Sequence, residues 1–371
     1  MSLRRANLPQ ADELEVTILG PGYGESCVVH LGDGDWAIVD SCVRKGSKRS
    51  LALRYLESLG IEPAQAVRFI VASHWHDDHV RGLATVVDAC PKAKFYCSVA
   101  LRSPEFWSLL SASVPAKTKR TSGVDEFRQI IAILEGRGQR PKWAAPSKRI
   151  WSPSSPESAA AWTLSPADGD IMLAFQSFAY INKTFDTPGI KRITDWDHHA
   201  NQASVVVFIE NDETAILLGA DMEHIRSFDD RGWHGVLSAD GRPQGQALIY
   251  KVAHHGSSNG HCQTIWNLKC DSWSDSDGLL IEGETTSIIS PWKRGQSQLP
   301  TELDIERLSS LSGRLLITQD PSGAFGEVAD AKKFLIALKA KYVAPLEPLP
   351  GIIRSRKARG SDWRAESVVL H

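Results

Sequence analysis

A stretch of six residues carries most of the chemistry that the sequence suggests. Residues 74–79 read His-Trp-His-Asp-Asp-His and follow an apolar run of strand length. Side chains alternate between the two faces of a strand, so His74 and His76 are predicted to project to one side. The turn that follows carries Asp78 and His79 to a neighbouring point. Imidazole and carboxylate groups are ligands of zinc, manganese and iron. The spacing therefore predicts two metal ions that share one cleft.

Three further predicted strands also end in acidic or imidazole side chains. Asp40, Asp221 and His254 each follow an apolar segment. A lone aspartate in such a position commonly caps a turn or a helix. Together with the histidine cluster, however, these residues predict one site at which several strand ends meet.

The order of the predicted elements indicates a layered α/β fold. Residues 14–99 follow the pattern βββαβαβ, and alternating strands and helices resume at residue 203. Residues 101–182 are predicted to be an insertion that could cover the cleft, with a loop or lid over 142–167 and a strand over 170–180. Residues 222–228 are predicted to be helical. The predicted domains are a core over 14–328 and a C-terminal helix with a basic tail over 329–371.

Composition limits the classes of partner. The 371 residues carry a formal net charge of -2 and are 42% hydrophobic, so the chain can bury a core and has no overall attraction for polyanions. Basic residues do gather locally in the predicted insertion and in the tail, where an arm could contact phosphate.

The six cysteines form no Cys-x-x-Cys pair, which favours reduced thiols in a cytoplasmic protein. No signal peptide and no apolar run of about 20 residues is present, so we expect no membrane association.

The motif His74-x-His76-x-Asp78-His79 resembles the signature of the metallo-β-lactamase-fold hydrolases, with Asp40 in the place of the first acidic motif. Other segments are similar to the metallo-β-lactamase-type domain of the ComEC competence protein family; they are residues 19–29, 201–204, 217–221, 251–257 and 288–320. The resemblance covers about residues 14–328. It implies an α/β (α+β) fold, the metallo-β-lactamase αββα sandwich, with a dinuclear metal site between the sheets. The membrane segments of the competence transporters are absent, so DNA uptake is not implied.

The motif also leads to a hypothesis for the ligands of the two metals: His74 and His76 for the first, Asp78, His79 and His254 for the second, and Asp221 for both. The third protein ligand of the first metal is open between His199, its neighbour His198, Asn201 and water. Asp40 is predicted to orient His74 or His76 through a hydrogen bond.

The resemblance implies hydrolysis by a metal-activated water. Zinc is the expected metal, with manganese or magnesium as alternatives. Asp78 could orient the water, and Lys251, His255 or Ser257 could stabilise or protonate the leaving oxygen. A phosphodiester or nucleic acid is the expected substrate, cleaved in a nuclease-like reaction. The alternative is a small-molecule hydrolase that acts on an ester, a thioester or a lactam.

Overall fold

The chain forms two β-sheets that pack face to face, with helices on both outer surfaces. The computed structural model describes most of the chain, namely residues 8–20, 24–43, 47, 49–112, 123–153, 155, 158–185, 200–266, 280–294, 297–319, 346–350 and 352–368. The mixed α/β class and the sandwich that the sequence predicts are confirmed.

The strands of the described residues are, in chain order, β1 (Leu14–Leu19), β2 (Ser26–His30), β3 (Trp36–Val39), β4 (Val67–Ala72), β5 (Lys94–Ser98), β6 (Lys142–Ala144), β7 (Lys148–Trp151), β8 (Ala160–Thr163), β9 (Val207–Glu210), β10 (Ala215–Leu218), β11 (Ala247–Lys251), β12 (Ile281–Ile289), β13 (Trp292–Arg294), β14 (Ser297–Leu299), β15 (Arg314–Gln319), β16 (Leu346–Pro350), β17 (Ile352–Lys357) and β18 (Arg364–Val368). The first sheet has the order β18-β17-β1-β2-β3-β4-β5-β6, and the second has the order β16-β15-β12-β11-β10-β9-β8-β7. Strands β13 and β14 form a separate hairpin.

The α-helices of the described residues are α1 (Leu51–Ser58), α2 (Pro63–Ala66), α3 (Asp77–Val80), α4 (Leu83–Ala89), α5 (Pro104–Ala112), α6 (Gly123–Gly136), α7 (Asp168–Phe185), α8 (Gly232–Ser238) and α9 (Glu302–Leu311). Helices α1 and α4 to α7 cover the outer face of the first sheet, whereas α8 and α9 cover the second. None of these helices is both long and apolar enough to cross a membrane.

The layer between the sheets is built from branched aliphatic side chains. Ile18 and Val71 of the first sheet and Ile216 and Ile249 of the second are fully buried in one shared cluster. Branched side chains fit the pleated surface of a strand, and burial of one such side chain stabilises the fold by about 1.5–3 kcal/mol. This layer fixes the two sheets against each other and thereby aligns their strand ends.

Parallel pairing brings the predicted site residues to one edge. Val39 of β3 is opposite Val71 of β4, and Leu218 of β10 is opposite Lys251 of β11, in both cases in a parallel register. The carboxyl ends of these four strands therefore lie at the same edge of the sandwich. The segments that follow them carry Asp40, residues 74–79, Asp221 and residues 254–255.

The predicted loop over residues 142–167 is wrong, because this segment contributes strands to both sheets. Strand β6 extends the first sheet beside β5, and β7 and β8 extend the second sheet beside β9. Ala144, Ile150 and Ala161 are buried along these short strands. The prolines and serines that suggested a loop lie in the connections between them.

Two predictions of secondary structure beside the site are also wrong. Residues 170–180 belong to helix α7 and not to a strand, since Ala174 and Phe178 are buried one helical turn apart while Tyr180 is exposed. Residues 222–228 are not helical, and the helix that follows Asp221 in the chain begins only at Gly232.

The basic tail forms strands and pairs with acidic side chains, contrary to the prediction of an arm that contacts phosphate. Strand β17 pairs along its length with β1. Arg354 pairs with Glu366, and Arg356 pairs with Glu15 at 2.5 Å. The helix predicted over 329–341 lies outside the described residues, and the division of the chain at residue 328 stays a prediction.

The hairpin of β2 and β3, which delivers Asp40, contains a buried histidine that predicts a pH-dependent stability. His30 Nδ1 bonds to the Glu13 carbonyl at 2.8 Å, and the Gly34 amide donates to His30 Nε2 at 3.1 Å. Burial lowers the pKa of His30 from 6.5 to about 4. The unfolded chain therefore takes up a proton near pH 6.5, whereas the folded chain does so only near pH 4.

The contribution of His30 is thus complete above pH 6.5 and is lost as the pH falls towards 4, by at most about 3 kcal/mol. We expect thermal unfolding of the wild type between pH 7 and pH 4.5 to show this loss, and the loss to be smaller in His30→Gln. Equal pH slopes for the two proteins would contradict this account.

Candidate metal centre

The backbone at the shared edge is held in a strained conformation. Six non-glycine residues of the described chain have positive φ, and four of them lie here: Asp40 at 61°, Ala220 at 46°, His254 at 46° and His255 at 52°. Each such conformation costs on the order of 1–3 kcal/mol and concentrates at functional sites. The strain directs the side chains that end β3, β10 and β11 towards one another.

Asp40 organises the histidine motif of the first sheet. Its Oδ1 accepts a hydrogen bond from the Ser73 amide at 2.7 Å, and its Oδ2 accepts one from Ser73 Oγ at 2.6 Å. Oδ2 also lies 2.8 Å from His79 Nδ1, while Ser73 Oγ lies 3.0 Å from His74 Nδ1. The predicted direct bond from Asp40 to His74 or His76 is therefore corrected. Asp40 bonds directly to His79 and reaches His74 through Ser73, which the sequence analysis missed.

The bond to Asp40 leaves His79 with one nitrogen facing the cleft. His79 Nε2 lies 3.2 Å from Asp221 Oδ1, and both atoms are buried without a hydrogen-bond partner in the described part of the chain. On the other side of Asp221, His74 Nε2 lies 3.9 Å from Asp221 Oδ2 and 3.0 Å from His76 Nδ1. Asp221 thus stands between two groups of imidazoles.

His255 approaches Asp221 from the second sheet. Its Nδ1 bonds to the Ser290 carbonyl at 2.8 Å, which fixes the ring. Its Nε2 lies 3.4 Å from Asp221 Oδ2 and 3.5 Å from Asp78 Oδ2, without a hydrogen-bond partner among the described residues. His255, predicted only as a group for the leaving oxygen, is therefore placed as a ligand would be.

His254 lies at the side of this group. Its Nε2 is 3.2 Å from Asn201 Nδ2, and its Nδ1 is 3.6 Å from Glu223 Oε1. The left-handed backbone at both histidines turns His255 towards Asp221 and His254 towards Asn201. The assignment of His254 as a ligand of the second metal stays a prediction. His199 and His198 lie outside the described residues, so the third ligand of the first metal stays a prediction.

Glu25 is a buried acid that the sequence analysis missed. It forms an ion pair with Lys251, and its carboxylate lies 3.7 Å from His79 Nδ1 and 3.5 Å from His255 Nδ1. Gly24 makes this approach feasible, since it has a φ of 89° and a Cβ there would lie 2.8 Å from the Asp78 carbonyl. The signal in the sequence was an acid directly after a glycine-rich turn, opposite a lysine in a buried strand.

Lys251 is therefore a partner of Glu25 and not an exposed group at the cleft. Its ammonium group also donates to the Ala220 carbonyl at 3.0 Å, and the side chain is 1% exposed. Burial lowers the pKa of Lys251, but Glu25 and Asp221 outweigh burial and raise the pKa. Lys251 stays charged and holds Glu25 and the backbone before Asp221 in place, so its predicted contact with the leaving oxygen is not supported.

The donors form two groups that fit metal ions. The first contains His74, His76 and Asp221, and the second contains Glu25, His79, Asp221 and His255; within each group the donor atoms lie within 4.8 Å of one another. Buried polar atoms without partners cost roughly 1–3 kcal/mol each, and a metal ion would satisfy several of them at once. The observed donors therefore fit two ions that share Asp221.

The electrostatics of the protein without metal agree with this fit. Burial lowers the pKa of His74 far below its usual value, and His79 and His76 reinforce the shift. Burial also acts to lower the pKa of His255, but Asp221 and Asp78 outweigh it and raise the pKa to about 10. Without metal, a proton on His255 offsets the nearby carboxylates. Metal ions would replace that positive charge.

Comparison with known proteins finds a family model and several solved structures to which the chain is similar. Residues 19–156 match the family model of the metallo-β-lactamase superfamily. The chain has no match among curated protein sequences.

Three solved structures show distant similarity. The metallo-β-lactamase fold protein YhfI from Bacillus subtilis is 13% identical, with 93% of this chain and 100% of that chain covered and a TM-score of 0.43. The metallo hydrolase Igni18 from Ignicoccus hospitalis is 10% identical, with 96% and 100% covered and a TM-score of 0.41. The subclass B3 metallo-β-lactamase MEM-A1 from a soil metagenome library is 14% identical, with 65% and 78% covered and a TM-score of 0.34.

Removing the negative charge of Asp40 is expected to weaken metal binding. An amide in Asp40→Asn cannot accept from Ser73 and fix His79 as the carboxylate does, so we expect metal affinity to fall by about 10–100-fold. Competition with a chromophoric chelator measures the change. Asp35→Asn is the matched control, because Asp35 pairs with Arg68 at the opposite end of β3. Unchanged affinity in Asp40→Asn would show that Asp40 does not orient the ligands.

Proposed function

We propose that this protein is a metal-dependent hydrolase that cleaves phosphodiester bonds. The observation that carries the proposal is the pair of buried donor groups that share Asp221. His74, His76 and Asp221 would hold one divalent ion, and Glu25, His79, His255 and Asp221 would hold the other. Bound zinc, or alternatively manganese or magnesium, supplies a water of lowered pKa and stabilises negative charge on the substrate.

The remaining polar groups of the chain have positioning roles in this proposal. Asp78 is 8% exposed and faces His255, so its carboxylate can orient a water molecule beside Asp221. Asp78 lies outside the second donor group, and its role as a ligand of the second metal stays a prediction. Burial acts to raise the pKa of Asp78, but the nearby His255 and the charge of His79 lower the pKa below its usual value. Asp78 is therefore ionised at neutral pH.

The hairpin of β13 and β14 supports an anionic substrate. The half-buried ring of Trp292 stacks against His255, with the ring centroids 6.3 Å apart and the planes inclined by 25°. Two residues on, Arg294 is exposed and lies close enough to Asp77 to oppose the rise that burial causes in the pKa of that carboxyl. An aromatic ring beside His255 and an arginine near Asp77 suit a phosphodiester next to a nucleobase or another flat group.

The other basic residues support a phosphodiester substrate less than the sequence suggested. The arginines of β17 pair with Glu366 and Glu15, and Arg359 pairs with Asp212 at 2.6 Å. Arg137 pairs with Asp88 at 2.7 Å. Lys117, Lys119 and Arg120 lie outside the described residues. The case for a phosphodiester therefore depends on the β13–β14 hairpin. The resemblance of several segments to the ComEC-type domain stays a prediction from the sequence, because the comparisons with known proteins do not link the chain specifically to that family.

Deep burial of the donors favours a second candidate, a hydrolase of small esters, thioesters or lactams. His74, His79 and His255 are at most 2% exposed, and among the histidines of the two donor groups only His76 is half-buried. A recessed site of this kind admits a small substrate readily. Replacement of the residues that would contact the phosphate distinguishes the two candidates.

Loss of the shared carboxylate tests the hydrolase proposal. We expect the wild type supplied with zinc or manganese to cleave bis-p-nitrophenyl phosphate and a single-stranded oligonucleotide. In Asp221→Asn, cleavage should fall by at least about 100-fold because both ions lose a ligand. Asp212→Asn, an exposed carboxylate at the far end of β10, is the control and should keep full activity. Equal rates for wild type and Asp221→Asn, or no cleavage under any metal, would overturn the proposal.

Loss of one hairpin cation tests the class of substrate. In Arg294→Ala we expect KM for bis-p-nitrophenyl phosphate to rise about 5-fold, the equivalent of about 1 kcal/mol, with KM for p-nitrophenyl acetate unchanged. Arg359→Ala, at the opposite end of the sandwich, should leave both values unchanged. A rise in KM for the neutral ester alone would favour the small-molecule hydrolase.

A further inference from the structure

A third group of metal-binding side chains lies outside the candidate metal centre. His224, His234 and Cys262 each offer one donor atom, and these atoms lie within 4.8 Å of one another. The two histidines are half-buried, whereas the cysteine is 1% exposed. None of the three takes part in the proposed hydrolysis.

The fold holds these three residues together from separate segments. His224 follows β10, His234 lies in the first turn of α8, and Cys262 precedes the short 3-10 turn Gln263–Ile265. The His224 amide donates to the Asn259 carbonyl at 2.6 Å, and Trp233 Nε1 donates to the Gly260 carbonyl at 3.0 Å. These bonds fix all three segments, so the donors are brought together before any ligand binds.

The segment that carries His224 also lies close to the start of α8, which carries His234. Gly232 has a φ of 54°, and a Cβ at this position would lie 2.4 Å from the Glu223 carbonyl. The glycine allows the start of α8 to lie directly against the residue before His224. Only a residue without a side chain permits this contact, which places His224 and His234 with their ring centroids 4.7 Å apart and their planes inclined by 80°.

The chemistry of this group differs from that of the candidate metal centre. One thiolate and two imidazoles are soft and intermediate ligands, the set that zinc prefers in tetrahedral sites. His224 Nδ1 is buried and has no hydrogen-bond partner in the described part of the chain. Asp229 Oδ1 lies 3.9 Å from His234 Nδ1 on an exposed side chain, so this carboxylate or a water molecule can complete four ligands.

We propose that His224, His234 and Cys262 form a structural zinc site, separate from the two ions at Asp221. A zinc ion there connects the loop after β10, which contains Asp221, to the loop that follows His254 and His255. Binding to the folded chain alone stabilises the fold in proportion to the logarithm of the zinc concentration. The zinc site thus stabilises the two loops of the second sheet that carry Asp221 and His255.

Cobalt titration tests this site specifically, because the donors at Asp221 include no cysteine. Metal-free wild type titrated with Co²⁺ should develop a thiolate-to-cobalt charge-transfer band in the near ultraviolet. Cys262→Ser should lack the band and bind one ion fewer per chain. Cys90→Ser, a buried cysteine of the first sheet's outer layer, is the control and should keep both.

Further variants separate this proposal from the proposed function and from misfolding. His74→Ala should keep the band even if it abolishes hydrolysis, so the two proposals fail independently. His224→Gln should weaken or shift the band, and far-UV circular dichroism identifies any variant that does not fold. A folded wild type without the band, or an unchanged band in both Cys262→Ser and His224→Gln, would overturn the proposal.

Discussion

The structure depends on the burial of several carboxylates side by side at one edge of the sandwich. Glu25, Asp40 and Asp221 are each 2% exposed, and Asp78 is 8% exposed. Burying one unpaired charge costs several kcal/mol, so this arrangement persists only where positive groups compensate. Lys251 provides one permanent positive charge. In the protein without metal, the remaining positive charge comes from His79 and His255. The nearby carboxylates raise the pKa values of these two histidines, although burial acts to lower them.

The buried carboxylates must lie close to these positive groups, and the surrounding backbone and side chains are therefore held in fixed positions. The left-handed backbone at Asp40, Ala220, His254 and His255 turns the strand ends inward. Hydrogen bonds from Ser73 to Asp40 and between His255 and the Ser290 carbonyl then fix the side chains. The aliphatic layer between the sheets is the rigid support for these contacts, because its parallel strands end at one level.

The sequence predicted the features that depend on local pattern. Short apolar runs placed β3, β4, β10 and β11, and the histidine motif after β4 identified the first-sheet half of the site. The sequence could not predict the directions in which the site side chains point. The choice between His254 and His255 depends on two backbone torsions, and the role of Glu25 depends on contacts with His79 and Lys251, which are distant in the chain. The strands in residues 142–163 were missed because each is only three or four residues long and prolines and serines lie between them.

The central claim is that Asp221 is shared by two metal ions and that His255, not His254, belongs to the second. Anomalous diffraction from crystals of the zinc-loaded protein measures this most directly. We expect two peaks that flank Asp221, one in contact with His74 and His76 and the other in contact with His79 and His255. No peak beside Asp221, or a peak bound by His254 in place of His255, would contradict it.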